Sequence, residues 1–305
     1  MISVVIPSFN RRESLLILLA DIHAQIHVPF EVIVIDDAST DQTTEQVMSL
    51  FPMVRVILNT RNQGPAACRN SGIRSATGEI IVGFDSDVSI PDHSLFIKIV
   101  DLFNRRIRYG ALAFRILGPD GKSDDTDRWW HPVPMKTYSR RAFVSSYFSG
   151  TAYAFQRHDL IRAGMFPELL YMHFEEVELA WRSVNAGTLI RYSPELTAWH
   201  HSGISSRRSE VDVFFRPRNQ ILIAASCLPK SFIFIYLGSR LAYQFYRSLK
   251  DGYLLDFINA MSSAVYLLPQ QLSRRQPINM KNFRRFKLLF LPKTLKSRWI
   301  HKFSL

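Results

Sequence analysis

The sequence predicts an α/β fold, a mostly parallel sheet flanked by helices, followed by a basic α-helical C-terminal extension. Three observations carry this. Short β-branched runs alternate with segments of helical period over the first two-thirds of the chain. The runs are apolar throughout, as parallel strands covered on both faces must be, and they end in polar clusters. Charge is unevenly divided. Residues 1–209 hold 22 Lys and Arg against 22 Asp and Glu, whereas residues 210–305 hold 16 against 4 and carry the whole net charge of +12.

The elements follow in order. Val4-Val5-Ile6 is a strand run closed by Pro7. Arg11 to Ile26 repeats Leu15, Leu18, Leu19, Ile22 and Ile26 at helical spacing. Glu31 to Ile35 is a buried-strand run ending in Asp36-Asp37. Ser39 or Thr40 is suited to cap the next helix, through Val47 and Leu50. Val54 to Leu58 predicts a third strand. Pro65 suits a first helical position, for a helix to about Ala76 stopped by Gly78. Ile80 to Phe84 is a fourth strand, ending in Asp85-Ser86-Asp87.

Composition bounds the possibilities. The chain has 305 residues, 47% hydrophobic and 21% charged, which excludes wholesale disorder. Two domains are expected, at 1–215 and 216–305. Two cysteines, Cys68 and Cys227, argue against a disulfide scaffold or cysteine zinc site and for a reducing compartment. The strand run starts at Ile2, so no secretory leader is expected. The longest charge-free run, Phe257 to Ser273, has 17 residues; a spanning helix needs about 20. Gly118 to Ser123 imitates the end of a phosphate-binding loop, but Ile116 stands where that motif needs glycine, so a turn is expected. No Gly-x-Gly-x-x-Gly occurs, which disfavours a dinucleotide-binding domain.

Ligands of open parallel sheets bind beyond the carboxyl ends of the strands. Here those ends carry Pro7-Ser8-Phe9-Asn10, Asp36-Asp37 and Asp85-Ser86-Asp87, three polar ends pointing to one crevice. Asp85 and Asp87 offer hard oxygens suited to Mg²⁺ or Mn²⁺ with substrate phosphates completing the shell; the alternative is a solvated turn. One carboxylate of Asp36-Asp37 can accept from a nucleobase or ribose; the alternative is turn and cap chemistry. Phe9 can stack on a base or fill a core. Trp129-Trp130-His131, in a loop rich in Pro and Asp, is either an acceptor-side lid or a packed loop.

Taken in order, these stretches resemble glycosyltransferase family 2. The resemblance rests on Val4 to Asn10, Val34-Ile35-Asp36-Asp37-Ala38-Ser39-Thr40-Asp41, Asn62-Gln63-Gly64-Pro65-Ala66-Ala67-Cys68-Arg69-Asn70-Ser71-Gly72 and Ala76 to Ile81. It continues through Phe84-Asp85-Ser86-Asp87, Phe148-Ser149-Gly150-Thr151, Phe174 to Arg182 and Trp199-His200-His201-Ser202-Gly203. It covers about residues 1–220. It implies a GT-A fold and inverting sugar transfer from a nucleotide-sugar donor carrying uridine, thymidine or guanosine. It also implies that Phe9 packs on the base, Asp37 recognises it and Arg69 flanks the donor. Pro7, Asp36 and Ser86 fall in the same donor motifs. Asp85 and Asp87 would bind Mn²⁺ or Mg²⁺, with Asp87 the direct ligand and His200 completing the site. The family's base is usually Asp in an acidic pair; here the pair is Glu175-Glu176, with Glu176 in the base position and Glu175 the alternative. Glu178 and Arg182 are i,i+4 partners and are expected to be structural.

The C-terminal third lies beyond the resemblance. Phe232 to Asp251 sets Arg240, Gln244, Arg247 and Asp251 on one face and Phe234, Leu237, Leu241 and Phe245 on another. Phe283 to Phe290 repeats this in a more basic form. Basic residues among aromatics suit an anionic membrane surface; the alternative is packing on the catalytic domain, and nucleic acid is not expected. The sequence therefore points to a transferase on the cytoplasmic face of the membrane, with a lipid-linked or glycan acceptor. Nucleotidyl transfer and a non-catalytic membrane scaffold are the alternatives.

Overall fold

The computed structural model describes residues 1–201 and 209–286. The chain falls into two compact units. One comprises Met1–Tyr171 with Glu175–Gly203, the other Met172–Phe174 with Ile204–Leu305.

The first unit opens with the expected alternation: β1 (Ile2–Ser8), α1 (Arg12–His23), β2 (Phe30–Asp36), α2 (Thr43–Leu50), β3 (Arg55–Leu58), α3 (Pro65–Ser75) and β4 (Ile80–Phe84). Pro65 begins α3 as expected. The cap of α2 differs. Ser39 and Thr40 do not cap it, because Asp36 binds the Ser39 amide and the Asn10 side chain binds that of Thr40. The helix starts only at Thr43, whose amide Asp41 accepts. Then come β5 (Val88–Ser89), α4 (Leu95–Phe103), β6 (Ala111–Leu117), α5 (Met135–Tyr138), β7 (Phe143–Ser145), β8 (Ala152–Gln156), α6 (Arg157–Arg162), α7 (Glu175–Asn185) and β9 (Ile190–His200). Gly118 to Ser123 is a turn, closed by Gly118 N–H donating to the Ser123 carbonyl.

The strands form one sheet in the order β3-β2-β1-β4-β8-β6-β9-β5, with β7 also on β9. β1, β2, β3, β4, β6 and β9 run one way and β5, β7 and β8 the other. β1 lies centrally, with β2 on one side and β4 on the other, so the strand order reverses there. That switch is where open α/β sheets bind ligands. Alternate residues of β1 feed two cores: Val4 and Ile6 face one, Val5 the other. α3 lies so close to the sheet that a Cβ on Gly72 would sit 2.4 Å from a Val5 methyl.

The second unit is helical: α8 (Ser209–Cys227), α9 (Lys230–Asp251), α10 (Leu254–Ser273) and α11 (Met280–Phe286). α8 and α10 are joined by Gln271 donating to Ser226 Oγ at 2.9 Å. Asn219 of α8 donates to the Met172 and His173 carbonyls at 2.7 and 2.8 Å. The expected amphipathic helix exists as α9, yet Tyr236, Gln244 and Ser248 are its buried side chains. The expected segment Phe283 to Phe290 runs beyond residue 286, and its remainder lies outside the described residues, as do Ser202 and Gly203. Among the described residues no helix is long and apolar enough to cross a membrane.

A Cβ on Gly83 of β4 would lie 2.1 Å from the Tyr153 ring, which is fully buried. Gly83→Ala should therefore destabilise the first unit by about 1–3 kcal/mol, read as a lower urea midpoint with an unchanged slope.

Candidate active site

The carboxyl ends of β1 and β2 lie level, Ser8 in register with Asp36. Pro7 is buried inside β1 opposite Ile35, so it shapes the strand end, and the exposed surface there belongs to Phe9. Asp36 takes the turn role that the sequence left open beside ligand binding. It is buried, and its oxygens accept from the Ser39 amide at 2.9 Å and from the Thr44 hydroxyl. Its turn needed an internal acceptor, and Asp36 supplies it. Asp37 anchors the loop before α3: it accepts at 2.8 Å from the Asn59 amide group and from the backbone amides of Gln63 and Gly64.

Arg69 is buried in α3, with its guanidinium shared between two acids. Nη2 donates to Asp85 Oδ1 at 2.7 Å and Nη1 to Glu175 Oε1 at 2.9 Å. Nη2 also reaches the Gly150 carbonyl at 3.4 Å, and Asp85 N–H donates to the Thr151 carbonyl at 3.0 Å. This accounts for the Ser149-Gly150-Thr151 motif: its backbone seats the triad. Burial alone would raise Asp85, but the Arg69 and Arg128 cations outweigh it and hold the carboxyl below its ordinary value of 3.8.

The two glutamates at the start of α7 thus differ. Glu175 is buried and held by Arg69. Among the described residues Glu176 has no such ion pair. Burial first, then the adjacent Glu175 charge, push its carboxyl up to about 8. Such a group is poised to take a proton near neutral pH. α7 is reached through backbone with positive φ at Tyr171, His173 and Phe174, +63°, +65° and +68°. Non-glycine residues hold that conformation only where surroundings impose it. Glu178 pairs with Arg182 at 3.3 Å, as expected.

The second acid of the Asp-x-Asp segment lies apart from this triad. β5 pairs antiparallel with β9, setting Val88 opposite His200, and His201 N–H donates to the Asp87 carbonyl at 2.9 Å. Asp87 Oδ1 is then 3.8 Å from His200 Nε2. His200 Nδ1 donates to Asp125 Oδ2 at 2.8 Å, which assigns the proton to Nδ1 and leaves Nε2 an acceptor, here facing Arg128 Nη2 at 3.2 Å. Ser86 is buried between the two acids. A carboxylate beside an imidazole whose far nitrogen is oriented by a second carboxylate is suitable chemistry for a divalent cation. Among the described residues no three His, Cys, Asp or Glu side chains form a group able to hold a metal. His201 instead meets Ser89 Oγ at 2.7 Å.

Of Trp129-Trp130-His131, the first and last are packed, while Trp130 is exposed. His131 is buried among Trp129, Phe143, Tyr147 and Tyr192, with Nδ1 2.7 Å from Ser145 Oγ. Burial pushes its imidazole down to about 3, so it stays neutral. Its anchoring fixes Arg128, three residues earlier. Sequence reasoning missed Arg128 and Asp125: its attention in this loop went to the aromatics, while the working charges stand just before them.

A family model described as glycosyl transferase family 2 matches residues 3–164, more than half of the chain. The chain belongs to glycosyl transferase family 2. It is 30% identical over 125 residues to the undecaprenyl-phosphate 4-deoxy-4-formamido-L-arabinose transferase of Pectobacterium carotovorum subsp. carotovorum, covering 38% of this chain and 36% of that one. The match covers 18% of the length of one curated relative, from Rickettsia bellii, and 55% of another, from Bacillus subtilis. In fold, the chain is similar to S. aureus TarS 1–349 crystallised with UDP, at a TM-score of 0.60 and 18% identity, over 99% of this chain and 91% of that one. It is also similar to the mannosyltransferase PcManGT of Pyrobaculum calidifontis in complex with GDP-Man and Mn²⁺, at a TM-score of 0.56 and 20% identity, over 98% and 87%. These likenesses show the GT-A fold.

In this family 2 chain, Arg69→Met should destabilise by about 3 kcal/mol, because it strands the buried Glu175 carboxylate and the half-buried Asp85. Adding Asp85→Asn should restore part of that, read by denaturant unfolding. Because Asp85 lies below its ordinary 3.8, the pair's contribution should be complete above that value and fade as pH falls further.

Proposed function

We propose that the chain is an inverting glycosyltransferase that moves a hexosyl or deoxyhexosyl group from a UDP-, dTDP- or GDP-linked donor to a lipid-linked or glycan acceptor. The observation that carries this is the division of labour in Glu175-Glu176: the first is spent on Arg69, the second is left with a raised carboxyl. Inversion is a single displacement, and one base beside the acceptor suffices. The acceptor hydroxyl gives its proton to Glu176 as its oxygen attacks the anomeric carbon. The bond from that carbon to the diphosphate oxygen breaks, and the nucleoside diphosphate leaves with the electron pair.

Asp87 and His200 would hold Mn²⁺ or Mg²⁺, with diphosphate oxygens and water filling the other positions. When bound, such a cation stabilises the leaving diphosphate as a Lewis acid. The complex of PcManGT with GDP-Man and Mn²⁺ supports that reading. Asp85 has a supporting role, balancing Arg69 and so Glu175. Phe9, exposed at the end of β1, is suited to stack on the base, and Asp37 frames the base through the loop it anchors. Arg128 gives the crevice a cation of its own. Residues 1–215 would form the catalytic domain, and residues 216–305 would attach it to the cytoplasmic face of an anionic membrane. The name of the undecaprenyl-phosphate relative supports a lipid-linked acceptor. Nucleotidyl transfer is less well supported, since it leaves Glu175-Glu176 without a role.

Calorimetric titration with UDP, dTDP and GDP, with and without Mn²⁺, tests the reading. One nucleotide should bind in a metal-dependent way, and Asp87→Ala should abolish that dependence; failure of a folded chain to bind any of the three would overturn it. Glu176→Gln should lower kcat by about 10²–10⁴-fold with nucleotide affinity unchanged, whereas equal loss of affinity would mark Glu176 as a binding group. With Glu176 near 8 in the free chain, kcat/KM should rise with pH and level off above that value.

A further inference from the structure

α9 and α10 are inside out. A helix on a protein in water buries its apolar stripe and exposes its polar one. In α9 the buried side chains are Tyr236, Gln244 and Ser248, spaced in fours or eights along one face, while Phe234, Tyr246 and Leu249 are exposed on the other. Phe234 is 86% exposed. In α10 the buried stripe is Phe257, Ala260, Ala264 and Gln271, mostly small or polar beyond its first turn. Leu255, Val265 and Tyr266 are exposed at 75%, 70% and 83%. Large side chains have thus been turned outward on two successive helices, and polar ones inward, where Gln271 is bonded to Ser226. Single exposed apolar residues are ordinary; a run of them along neighbouring helices marks an interaction surface.

The charge around this surface selects the occupant. Residues 210–305 carry 16 basic against 4 acidic side chains, and Lys230, Lys250 and Arg274 stand at the ends of α9 and α10. An apolar face with exposed tyrosines and a basic surround matches the boundary of an anionic bilayer, where aromatic rings sit at headgroup level and lysines meet lipid phosphates. Neither helix qualifies as a span, so the pair would lie in the interface.

We infer that α9 and α10 form a monotopic membrane element whose outward apolar face, centred on Phe234, Tyr246 and Leu249 with Leu255, Val265 and Tyr266, embeds in the headgroup and upper acyl region of an anionic lipid bilayer. This deepens the proposed peripheral attachment and rests on it: insertion of a defined face, rather than charge alone, holds the protein there.

The test is co-sedimentation of the full chain with phosphatidylglycerol-containing vesicles and with neutral phosphatidylcholine vesicles, at 0.1 M and 1 M salt. The variant Phe234→Ser/Tyr246→Ser/Tyr266→Ser is run beside it. Surface substitutions of this kind leave the fold intact, which circular dichroism checks. The expected result is binding to anionic vesicles that survives in 1 M salt, where the screening length is about 3 Å, and that falls at least tenfold in the variant. Binding abolished by salt, or unchanged in the variant, would assign attachment to basic charge and overturn the proposal. A wild type that ignores vesicles but is dimeric by light scattering, with a monomeric variant, would make a second copy the occupant and also overturn it. Nucleotide calorimetry on the same samples separates this outcome from failure of the transferase reading, since it does not involve the helices' outer faces.

Discussion

Arg69 lies enclosed between Asp85 and Glu175, and the arrangement of the site depends on it. A guanidinium presents its donors in a rigid fork, so it can fix the directions of two carboxylates at once. One of those acids ends β4 and the other begins α7, elements more than eighty residues apart in sequence. Enclosing a cation has a cost that these partners offset. Each partner in turn leaves a neighbour with a separate task. Asp85 precedes Asp87, which turns toward His200, and Glu175 precedes Glu176, which keeps its proton unusually tightly. Each acidic doublet is therefore a pair of unlike members: Arg69 binds one, and among the described residues it does not bind the other.

A second layer of fixed charge surrounds this centre. Asp125 orients His200, and Arg128 faces the same imidazole from the other side. Both come from a segment held down by the buried His131 and its ring of aromatics. An imidazole kept neutral inside an apolar cluster serves as a peg: it cannot charge, so the loop does not loosen across the physiological pH range. The crevice is preorganised from below by the sheet and from the side by this peg.

How much of this was legible depended on the kind of signal. The first four strands and three helices were readable because continuous β-branched runs and helical spacing are local properties, and each polar strand end announced a place in the crevice. The antiparallel strands β7 and β8 were not anticipated, since their pairings with β9 and β4 are long-range. Asp36 and Asp37 were correctly placed at a strand end, yet composition could not say that the turn and the 59–64 loop would claim their oxygens. Glu175 and Glu176 were indistinguishable until Arg69 chose one of them. The apolar face that the sequence assigns to α9 contains Phe234 and Phe245, and both are exposed; that Tyr236 lies buried beside Gln244 and Ser248 depends on packing within the helical unit.

The pairing of β5 with β9 has a consequence for how the protein is made. Asp87 and His200 meet only because a two-residue strand finds the last strand of the sheet, across more than a hundred residues of chain. Contacts of such separation form late, after the loop-closure entropy has been met. During synthesis the first half of the sheet, β1 to β4, is complete long before β9 emerges. A nascent or prematurely ended chain would carry the Asp-x-Asp loop without its imidazole. The imidazole–carboxylate pair thus exists only in a chain whose short β5 has found β9.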